Sequence, residues 1–236
     1  MNLSIVIKTC PQRAAMLADL QERIGPLPTV CDDGRGAWQT SIQCWESAPA
    51  DCEYHMVLED DALPCAGFRS LAAEAIDSIA RHRPEMVNFF CRLWPRSLKA
   101  IAKAGAPLGP WLRMNCCNNG VAAVMRRDLI PSFLAWCEEN VNPAMPSTDQ
   151  RYSLWLLKTG RTCWLSQPSL VEHRGDASVY QTEPKPIRRA AWFIGQDGGA
   201  LDWRTDKAPP VLRVFKETAF DRHLLRREPA MAEAFA

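Results

Sequence analysis

The apolar residues of this chain recur with two different spacings, which predict alternating strands and helices. Leu3–Ile7 is an apolar run of strand character, and the turn after it opens a helix whose apolar stripe ends at Gly25. In residues 68–79 the apolar positions recur every three or four residues, which predicts an amphipathic helix. Further strands are predicted at 29–31, 54–58, 86–91, 120–125 and 163–165, and further helices over 37–48, around 129–137 and from 147 onward.

This order of elements predicts an α/β protein with a mostly parallel central sheet flanked by helices. Residues 92–113 are basic and contain prolines at 95, 107 and 110, so we expect an irregular excursion there. Beyond residue 185 the chain is basic and less periodic. We therefore expect a main domain over 1–184 and a basic extension over 185–236, a lid or tail of the same globular unit.

Composition favours one large domain without a membrane span. The chain has 236 residues and 47% hydrophobic content, enough for a substantial core. It has no run of 18 apolar residues, and its first residues lack the pattern of a signal peptide. Its ten cysteines are scattered without a Cys-x-x-Cys pair, so we interpret them as buried, reduced thiols, with structural zinc as a weaker alternative.

The net charge of +1 hides a segregation of charge along the chain. Residues 1–80 hold 5 Lys and Arg against 12 Asp and Glu, whereas residues 81–127 hold 9 against 1. A chain of this kind can place a cation site beside a polyanion site.

Three consecutive carboxylates, Glu59, Asp60 and Asp61, follow the apolar run at 54–58. Adjacent carboxylates repel one another, so we expect a positive charge among them, and a hard divalent cation such as Mg²⁺ or Mn²⁺ is the usual one. Strand alternation predicts Glu59 and Asp61 on one face and Asp60 on the other. A solvated acidic turn is the alternative interpretation. Because the chain has no Gly-x-Gly-x-x-Gly and no P-loop, nucleotide binding would have to be mediated by metal.

Two earlier predicted strands also end in polar residues. Thr9-Cys10-Pro11-Gln12-Arg13 follows the first, and Cys31-Asp32-Asp33-Gly34 follows the second. In this order, with the acidic triplet third, the segments resemble those of glycosyltransferases of the GT-A fold, whose D-x-D-type motif binds Mn²⁺ or Mg²⁺ and a nucleotide-sugar diphosphate. The resemblance covers roughly residues 3–178, and it departs from the family at Glu59, where the motif has Asp.

The resemblance implies a role for several side chains. Asp61 is the expected principal metal ligand, with Glu59 bound directly or through water and His173 completing the shell. Asp149 matches the acidic residue that faces the acceptor, and it is the expected general base if the reaction inverts the anomeric centre. Taken alone, Asp149 would be a helix N-cap and His173 an ordinary, partly buried histidine. The residues expected to contact the donor, a UDP-sugar by the same resemblance, are Thr9, Arg13, Asp32, Asp33 and Asp60.

The basic segment after the acidic triplet is where GT-A enzymes commonly bind the acceptor. Cations interleaved with aromatic rings suit a phosphate backbone and an exposed base. The residues expected to bind the acceptor are Arg92, Trp94, Arg96, Trp111 and Arg113. DNA with hydroxymethylated pyrimidines, as in phage DNA modification, is the first candidate acceptor, and a bacterial surface glycan such as lipopolysaccharide is the main alternative. We therefore expect a cytoplasmic enzyme of a bacterium or of a phage-infected host.

Two functions outside this class stay open at this point. A metal-dependent phosphoryl-transfer enzyme could use the acidic triplet, although it would need further carboxylates to hold two ions. A non-catalytic module for a nucleotide-sugar or a nucleic acid would bind its ligand without turnover.

Overall fold

The strands form one large sheet and one small sheet in the computed structural model of the protein. The structure describes residues 2–92, 95–104, 109–117, 119–145, 147–174 and 188–215. The strands within these ranges are β1 (Leu3–Thr9), β2 (Thr29–Cys31), β3 (Tyr54–Glu59), β4 (Ala62–Pro64), β5 (Met86–Asn88), β6 (Trp111–Met114), β7 (Ala122–Arg126), β8 (Cys163–Ser166), β9 (Val171–His173) and β10 (Val211–Leu212).

The helices alternate with these strands through most of the chain. Gly25 ends the first helix with a φ of 82°, and Gly160 ends the last with a φ of 69°, backbone conformations that glycine adopts at low cost. The helices within the described ranges are α1 (Ala14–Ile24), α2 (Ala37–Glu46), α3 (Phe68–Ile79), α4 (Pro95–Ala104), α5 (Ile130–Asn140) and α6 (Thr148–Thr159).

The strand order of the large sheet reverses at β1. Its order is β10-β6-β8-β5-β7-β3-β1-β2, while β4 and β9 pair separately. The pairs β1/β2, β1/β3, β5/β8 and β6/β10 are parallel, and the pairs β3/β7, β5/β7 and β6/β8 are antiparallel. The chain runs from β1 to β2 on one side and then returns to β3 on the other side of β1. Such a switch leaves a crevice at the carboxyl ends of β1 and β3, where open α/β sheets bind ligands.

Helices cover both faces of the sheet, and strand alternation assigns each residue of β1 and β3 to one face. Val6 and Val57 belong to the core shared with α2, α5 and α6. Ile7 and Leu58 belong to the core shared with α1 and α3. Continued to the strand ends, the same alternation assigns Lys8 and Glu59 to the α2 and α6 side and Thr9 to the α1 side.

The predicted class, an α/β protein with a large central sheet flanked by helices, is confirmed. The predicted helix over 68–79 coincides with α3. The prediction that residues 92–113 are irregular is wrong, because their described part contains α4 and β6. Two of the three prolines that suggested disruption lie at element starts: Pro95 is the first residue of α4, where its missing N–H leaves no helical hydrogen bond unmade, and Pro110 precedes β6. Pro107 lies outside the described residues.

Of the expected C-terminal extension, residues 188–215 are described, and they pack on the sheet. β10 pairs with β6. Trp203 is 1% exposed, and its carbonyl accepts a hydrogen bond of 3.0 Å from Nε1 of Trp111. The boundary between residues 184 and 185 stays a prediction.

The cysteines are all free thiols, and nine of the ten are buried, with Cys31 exposed. Burial raises the pKa of Cys65 to about 11 and that of Cys91 to about 12, as expected of thiols that serve as small apolar groups. Among the described helices, none has the length and apolarity needed to cross a membrane.

Candidate active site

The parallel pairing of β1 with β3 brings the ends of the two strands together. Lys8 pairs with Glu59 in the register, and the N–H of Asp60 donates to the carbonyl of Lys8 at 3.1 Å. Thr9 therefore lies beside Asp60, and its hydroxyl donates to Oδ2 of Asp60 at 2.7 Å. Asp60 is 3% exposed, so its carboxylate is a buried group held by β1.

Arg13 supplies positive charge to two of the three carboxylates. The short 3-10 turn Pro11–Arg13 after β1 places this side chain over the strand ends. Its Nη1 donates to Oδ1 of Asp60 at 2.8 Å and to Oδ2 of Asp61 at 2.6 Å. Burial opposes the charge of Arg13, but Asp61 and Asp60 outweigh burial and raise the pKa of the guanidinium.

The small sheet brings His173 to Asp61. Ala62 of β4 pairs with His173 of β9, and the N–H of Arg174 donates to the carbonyl of Asp61 at 3.0 Å. Nε2 of His173 lies 3.4 Å from Oδ2 of Asp61, and both side chains are buried. The other oxygen of Asp61, Oδ1, is buried with no hydrogen-bond partner among the residues that the structure describes. Burial and the negative charge of Glu59 raise the pKa of Asp61.

Glu59 lies on the opposite side of the strand ends, paired with Lys8. Nζ of Lys8 is 2.6 Å from Oε1 of Glu59 and 3.5 Å from the hydroxyl of Ser41 in α2. Burial alone would raise the pKa of Glu59, but the attraction of Lys8 outweighs burial and lowers it. Glu59 is therefore a carboxylate with its own internal cation.

Asp149 lies on the same side, in the first turn of α6. The hydroxyl of Ser147 caps that helix by accepting the N–H of Gln150 at 3.4 Å. Oδ1 of Asp149 accepts the backbone N–H of Gly120 at 2.6 Å. Burial and the charge of Glu59 raise the pKa of Asp149 to about 6, although the bond from Gly120 and the charge of Lys8 oppose this. A carboxylate with such a pKa is suited to accept a proton near neutral pH.

The predicted division of the acidic triplet between two faces differs from the structure. Glu59 is the last residue of β3, and Asp60 and Asp61 form the turn after it, so strand alternation ends before Asp61. Asp60 and Asp61 consequently share Arg13, and Glu59 alone faces Lys8. Arg13 and Lys8 thus supply positive charge of the kind that was expected among the carboxylates.

Asp32 and Asp33 follow β2 at the same edge of the sheet. The N–H of Asp32 donates to the carbonyl of Thr9 at 2.9 Å, which joins this loop to β1. Oδ1 of Asp32 accepts the N–H groups of Gly34 and Gly36, both at 3.0 Å. Asp33 is exposed and pairs with the exposed Arg35 at 2.7 Å. Asp33 therefore has a different cation from Asp60 and Asp61, which pair with Arg13.

The residues expected to bind an acceptor are dispersed. Arg92 is half-buried and follows directly after Cys91 near the site, whereas the exposed Arg96 lies with its guanidinium carbon 5.5 Å from the ring centre of Phe215. Trp94 lies outside the described residues.

Two of these expectations require correction. Trp111 is 2% exposed and packs against Trp203 at 5.5 Å between ring centres, so its ring is part of the core and offers no surface to a base. Nε of Arg113 donates to Thr162 at 2.9 Å, just before β8 begins. Because β8 runs parallel to β5 and the site lies at the opposite end of these strands, Arg113 is remote from it.

Lys8 and Gly120 are two residues of the site that were not predicted from the sequence. Lys8 is the one charged residue of β1, and a charge within an otherwise apolar strand signals a buried partner. No sequence signal marked Gly120, because its role depends on its contact with Asp149, which is distant in sequence.

The side chains around Asp61 fit a divalent cation in part. Within the described ranges, no three carboxylate, imidazole or thiol groups already surround one metal position. Asp61 nevertheless has a buried oxygen, Oδ1, with no hydrogen-bond partner among the described residues, and the imidazole of His173 lies beside its other oxygen, Oδ2. Mg²⁺ commonly takes only one or two carboxylates from a protein and completes its shell with water and phosphate. Asp61 and His173 are therefore suitable ligands, whereas Glu59 is committed to Lys8.

No family model and no curated protein sequence matches this chain. Among solved structures, A197 from STIV aligns with a TM-score of 0.41 and 10% identity over 76% of this chain and 100% of that chain. CMP:2-keto-3-deoxy-manno-octonic acid synthetase complexed with CTP aligns with a TM-score of 0.40 and 8% identity over 70% and 89%. The catalytic domain of Drosophila β1,4-galactosyltransferase 7 aligns with a TM-score of 0.37 and 8% identity over 88% and 82%. Likeness at this level carries no inference about activity.

Proposed function

We propose that this protein is a glycosyltransferase that moves a sugar from a nucleotide-sugar, a UDP-sugar, to a hydroxyl group of an acceptor. One observation carries the proposal. At the switch point of the sheet, two carboxylates lie on either side of the same strand ends. Asp61 has a buried oxygen without a hydrogen-bond partner among the described residues, and Asp149 has a pKa raised to about 6. Asp61 is suited to bind a cation together with the diphosphate of the donor, and Asp149 is suited to accept a proton.

The donor would lie over the carboxyl ends of β1 and β3. Asp61 and His173 would hold Mn²⁺ or Mg²⁺, and the bound ion would stabilise the negative charge of the leaving diphosphate. Thr9 and Arg13 fix the carboxylate of Asp60 at the same point, where it can accept hydrogen bonds from sugar or ribose hydroxyls. The loop of Asp32 and Asp33 is the proposed contact for the ribose and base.

Asp149 is the proposed general base. The N–H of Gly120 orients its carboxylate, and the raised pKa makes the carboxylate a stronger base than an exposed aspartate. In an inverting transfer Asp149 takes the proton of the acceptor hydroxyl as that oxygen attacks the anomeric carbon, and the diphosphate leaves with the bonding electrons. Lys8 and Glu59 lie on the same side of the site as an ion pair, and their charges act on the pKa of Asp149 in opposite directions.

The acceptor is proposed to be a polyanion, and DNA with hydroxymethylated pyrimidines is the first acceptor to test. The support is the charge of residues 81–127, 9 basic against 1 acidic, of which Arg92 lies near the site. A bacterial surface glycan is the competing acceptor. Phosphoryl transfer with two ions is disfavoured, because Glu59 is paired with Lys8 and Asp60 with Thr9 and Arg13. Asp61 is the one carboxylate of the triplet with a buried oxygen that lacks a hydrogen-bond partner among the described residues.

The donor site is tested by thermal unfolding with UDP, GDP, CDP or ADP, each with Mn²⁺ or with EDTA. A ligand at 100 times its dissociation constant should add about 2.7 kcal/mol to the free energy of unfolding. We expect stabilisation by UDP only with Mn²⁺, and its loss in Asp61→Asn. Asp206→Asn is the matched control, since that carboxylate is fully exposed. No stabilisation of the wild-type protein by any nucleotide would refute the proposal.

Catalysis is tested separately by incubating the protein with UDP-sugars and with hydroxymethylated DNA, unmodified DNA or lipopolysaccharide. Transfer that Asp149→Asn abolishes while UDP binding is retained is the expected result. Nucleotide binding without transfer to any acceptor would support a binding module instead.

A further inference from the structure

A segment of the chain after residue 187 lies along the rim of the site. The backbone N–H of Ala191 donates to the carbonyl of Cys91 at 2.8 Å. This bond places Arg188, three residues before Ala191, on the same side of the protein as Arg92, which follows Cys91. Both arginines are half-buried.

Two more hydrogen bonds attach this segment to the strand that carries His173. The N–H of Ala190 donates to Oε1 of Glu172 at 2.9 Å, and Nη1 of Arg189 donates to the carbonyl of His173 at 3.3 Å. The same Glu172 oxygen accepts the N–H of His173 at 2.8 Å. The rim is thus built by backbone and side-chain bonds, and the carboxylate of Glu172 is used within it.

Arg92 and Arg188 carry two like charges close together. Burial and the neighbouring charge of Arg188 lower the pKa of Arg92. Over the described residues, neither guanidinium forms an ion pair with a carboxylate, in contrast to Arg13, which has two such partners. Arg188 also acts electrostatically on Asp149, which places the pair on the side of the proposed base. Two half-buried guanidinium groups that form no ion pair with a described carboxylate favour the binding of an anion between them.

We propose that Arg92 and Arg188 together form a subsite for a phosphate group of a substrate, beside Asp149. This inference rests on the proposed function, since it assigns that phosphate to one of the two substrates of the transfer. The planar guanidinium fork binds phosphate oxygens in pairs, which gives orientation as well as attraction. A phosphate held here would bring its molecule within reach of both the metal ligands and the base.

The phosphate can come from two sources. It can be the diphosphate of the donor, or it can be a phosphodiester of a nucleic-acid acceptor next to the hydroxyl that is to be glycosylated. The two sources differ in their dependence on salt, because a nucleic acid releases condensed counterions when a protein cation replaces them.

The experiment uses the full chain with Arg92→Gln, Arg188→Gln and the double substitution. Arg126→Gln is the matched control, because Arg126 is the last residue of β7, at the end remote from the site, and its substitution removes the same charge. The probes are UDP with Mn²⁺ and a single-stranded 20-mer oligonucleotide, each titrated at several salt concentrations. Thermal unfolding of each variant confirms that it is folded before titration.

A donor phosphate predicts that either site substitution weakens UDP binding about 10-fold or more and leaves oligonucleotide binding unchanged. An acceptor phosphate predicts unchanged UDP binding, weaker oligonucleotide binding, and a salt slope that falls by about 0.7 for each phosphate that the variant no longer neutralises. Either result supports the subsite, provided that Arg126→Gln binds both probes as the wild type does.

Folded site variants that bind both probes with wild-type affinity overturn the subsite, as does a loss that Arg126→Gln shows equally. If the wild type binds UDP with metal and the site variants bind it equally well, and their oligonucleotide binding is also unchanged, the subsite fails and the proposed function stands. If the wild type binds no nucleotide but binds the oligonucleotide through Arg92 and Arg188, the proposed donor site fails and the phosphate subsite remains.

Discussion

Gly120 and Asp149 approach each other so closely that only glycine fits at position 120. The N–H of Gly120 donates to Oδ1 of Asp149 at 2.6 Å. A Cβ at this position would lie 2.8 Å from Cε2 of Tyr152 and 3.1 Å from that same Asp149 oxygen. Tyr152 is 2% exposed and its hydroxyl accepts a hydrogen bond from Trp45, so the ring cannot easily move away. The orientation of the proposed base thus depends on the absence of a side chain.

Gly120→Ala should therefore displace Asp149. We expect kcat/KM to fall by about 10- to 100-fold, since small misplacements of a reacting group have effects of this size. The free energy of unfolding should fall by about 1–3 kcal/mol from overpacking. Gly109→Ala is the control, because a Cβ there would meet no atom within 4 Å. Transfer kinetics and urea unfolding measure the two effects, and wild-type kinetics in Gly120→Ala would show that Asp149 needs no such positioning.

The rate of transfer should depend on pH through Asp149. A general base works in its ionised form, and the pKa of Asp149 is raised to about 6, so kcat/KM should fall tenfold per pH unit below about pH 6. Glu59→Gln removes one of the charges that raise this pKa, so the acidic limb should move to lower pH. Asp149→Asn should lower the rate by about 10²- to 10⁴-fold and remove the limb. An acidic limb that persists in the residual activity of Asp149→Asn would assign it to another group.

The same raised pKa makes the contribution of Asp149 to stability dependent on pH in a known direction. The folded protein binds this proton more tightly than the unfolded chain, whose aspartate titrates near 3.8. The contribution is complete below about pH 4 and is lost as pH rises through about 6. Asp149→Asn should remove this part of the pH dependence, which urea unfolding at a series of pH values would detect.

The order of elements could be predicted from sequence because local patterns determine it. The spacing in Phe68–Ile79 and the glycine after Ile24 define α3 and the end of α1 without reference to the rest of the chain. The helix α4 was not predicted, because the prolines of this segment were interpreted as a sign of irregular structure. Proline disrupts a helix only in its interior, whereas Pro95 occupies the first helical position, where proline is favourable.

The site could be predicted only where strand ends carry it. Four residues that the resemblance assigned to one site, Thr9, Arg13, Asp60 and Asp61, do meet. They meet because β1 and β3 are parallel and end at the same edge of the sheet. Which cation neutralises the carboxylates could not be predicted, because it depends on the turn that carries Arg13. Trp111 was misassigned for a similar reason, since its burial depends on Trp203, which is distant in sequence.

Arg13 and a bound metal ion should substitute for one another as counterions of Asp60 and Asp61. Arg13→Met leaves these buried carboxylates without their cation, so without metal the free energy of unfolding should fall by about 3–5 kcal/mol. Mn²⁺ should then raise the Tm of Arg13→Met more than that of the wild type. Arg23→Met, which removes an exposed arginine paired with Asp19, is the control and should cost about 0.5 kcal/mol or less. An equal effect of Mn²⁺ on both proteins would mean that the metal does not bind at these carboxylates.

Trp111→Phe distinguishes a core tryptophan from one that binds the acceptor. The substitution removes the hydrogen bond from Nε1 to the carbonyl of Trp203, which keeps its bond of 3.1 Å from the hydroxyl of Ser78. It also puts a smaller ring in the core, and the two losses together should lower the free energy of unfolding by about 1–3 kcal/mol. Because the ring is 2% exposed, the KM for the acceptor should equal that of the wild type. Urea unfolding and transfer kinetics at a temperature where both proteins are folded give the two quantities. A large rise in the KM for the acceptor with unchanged stability would instead return Trp111 to the acceptor site, and it would require the packing against Trp203 to open during binding.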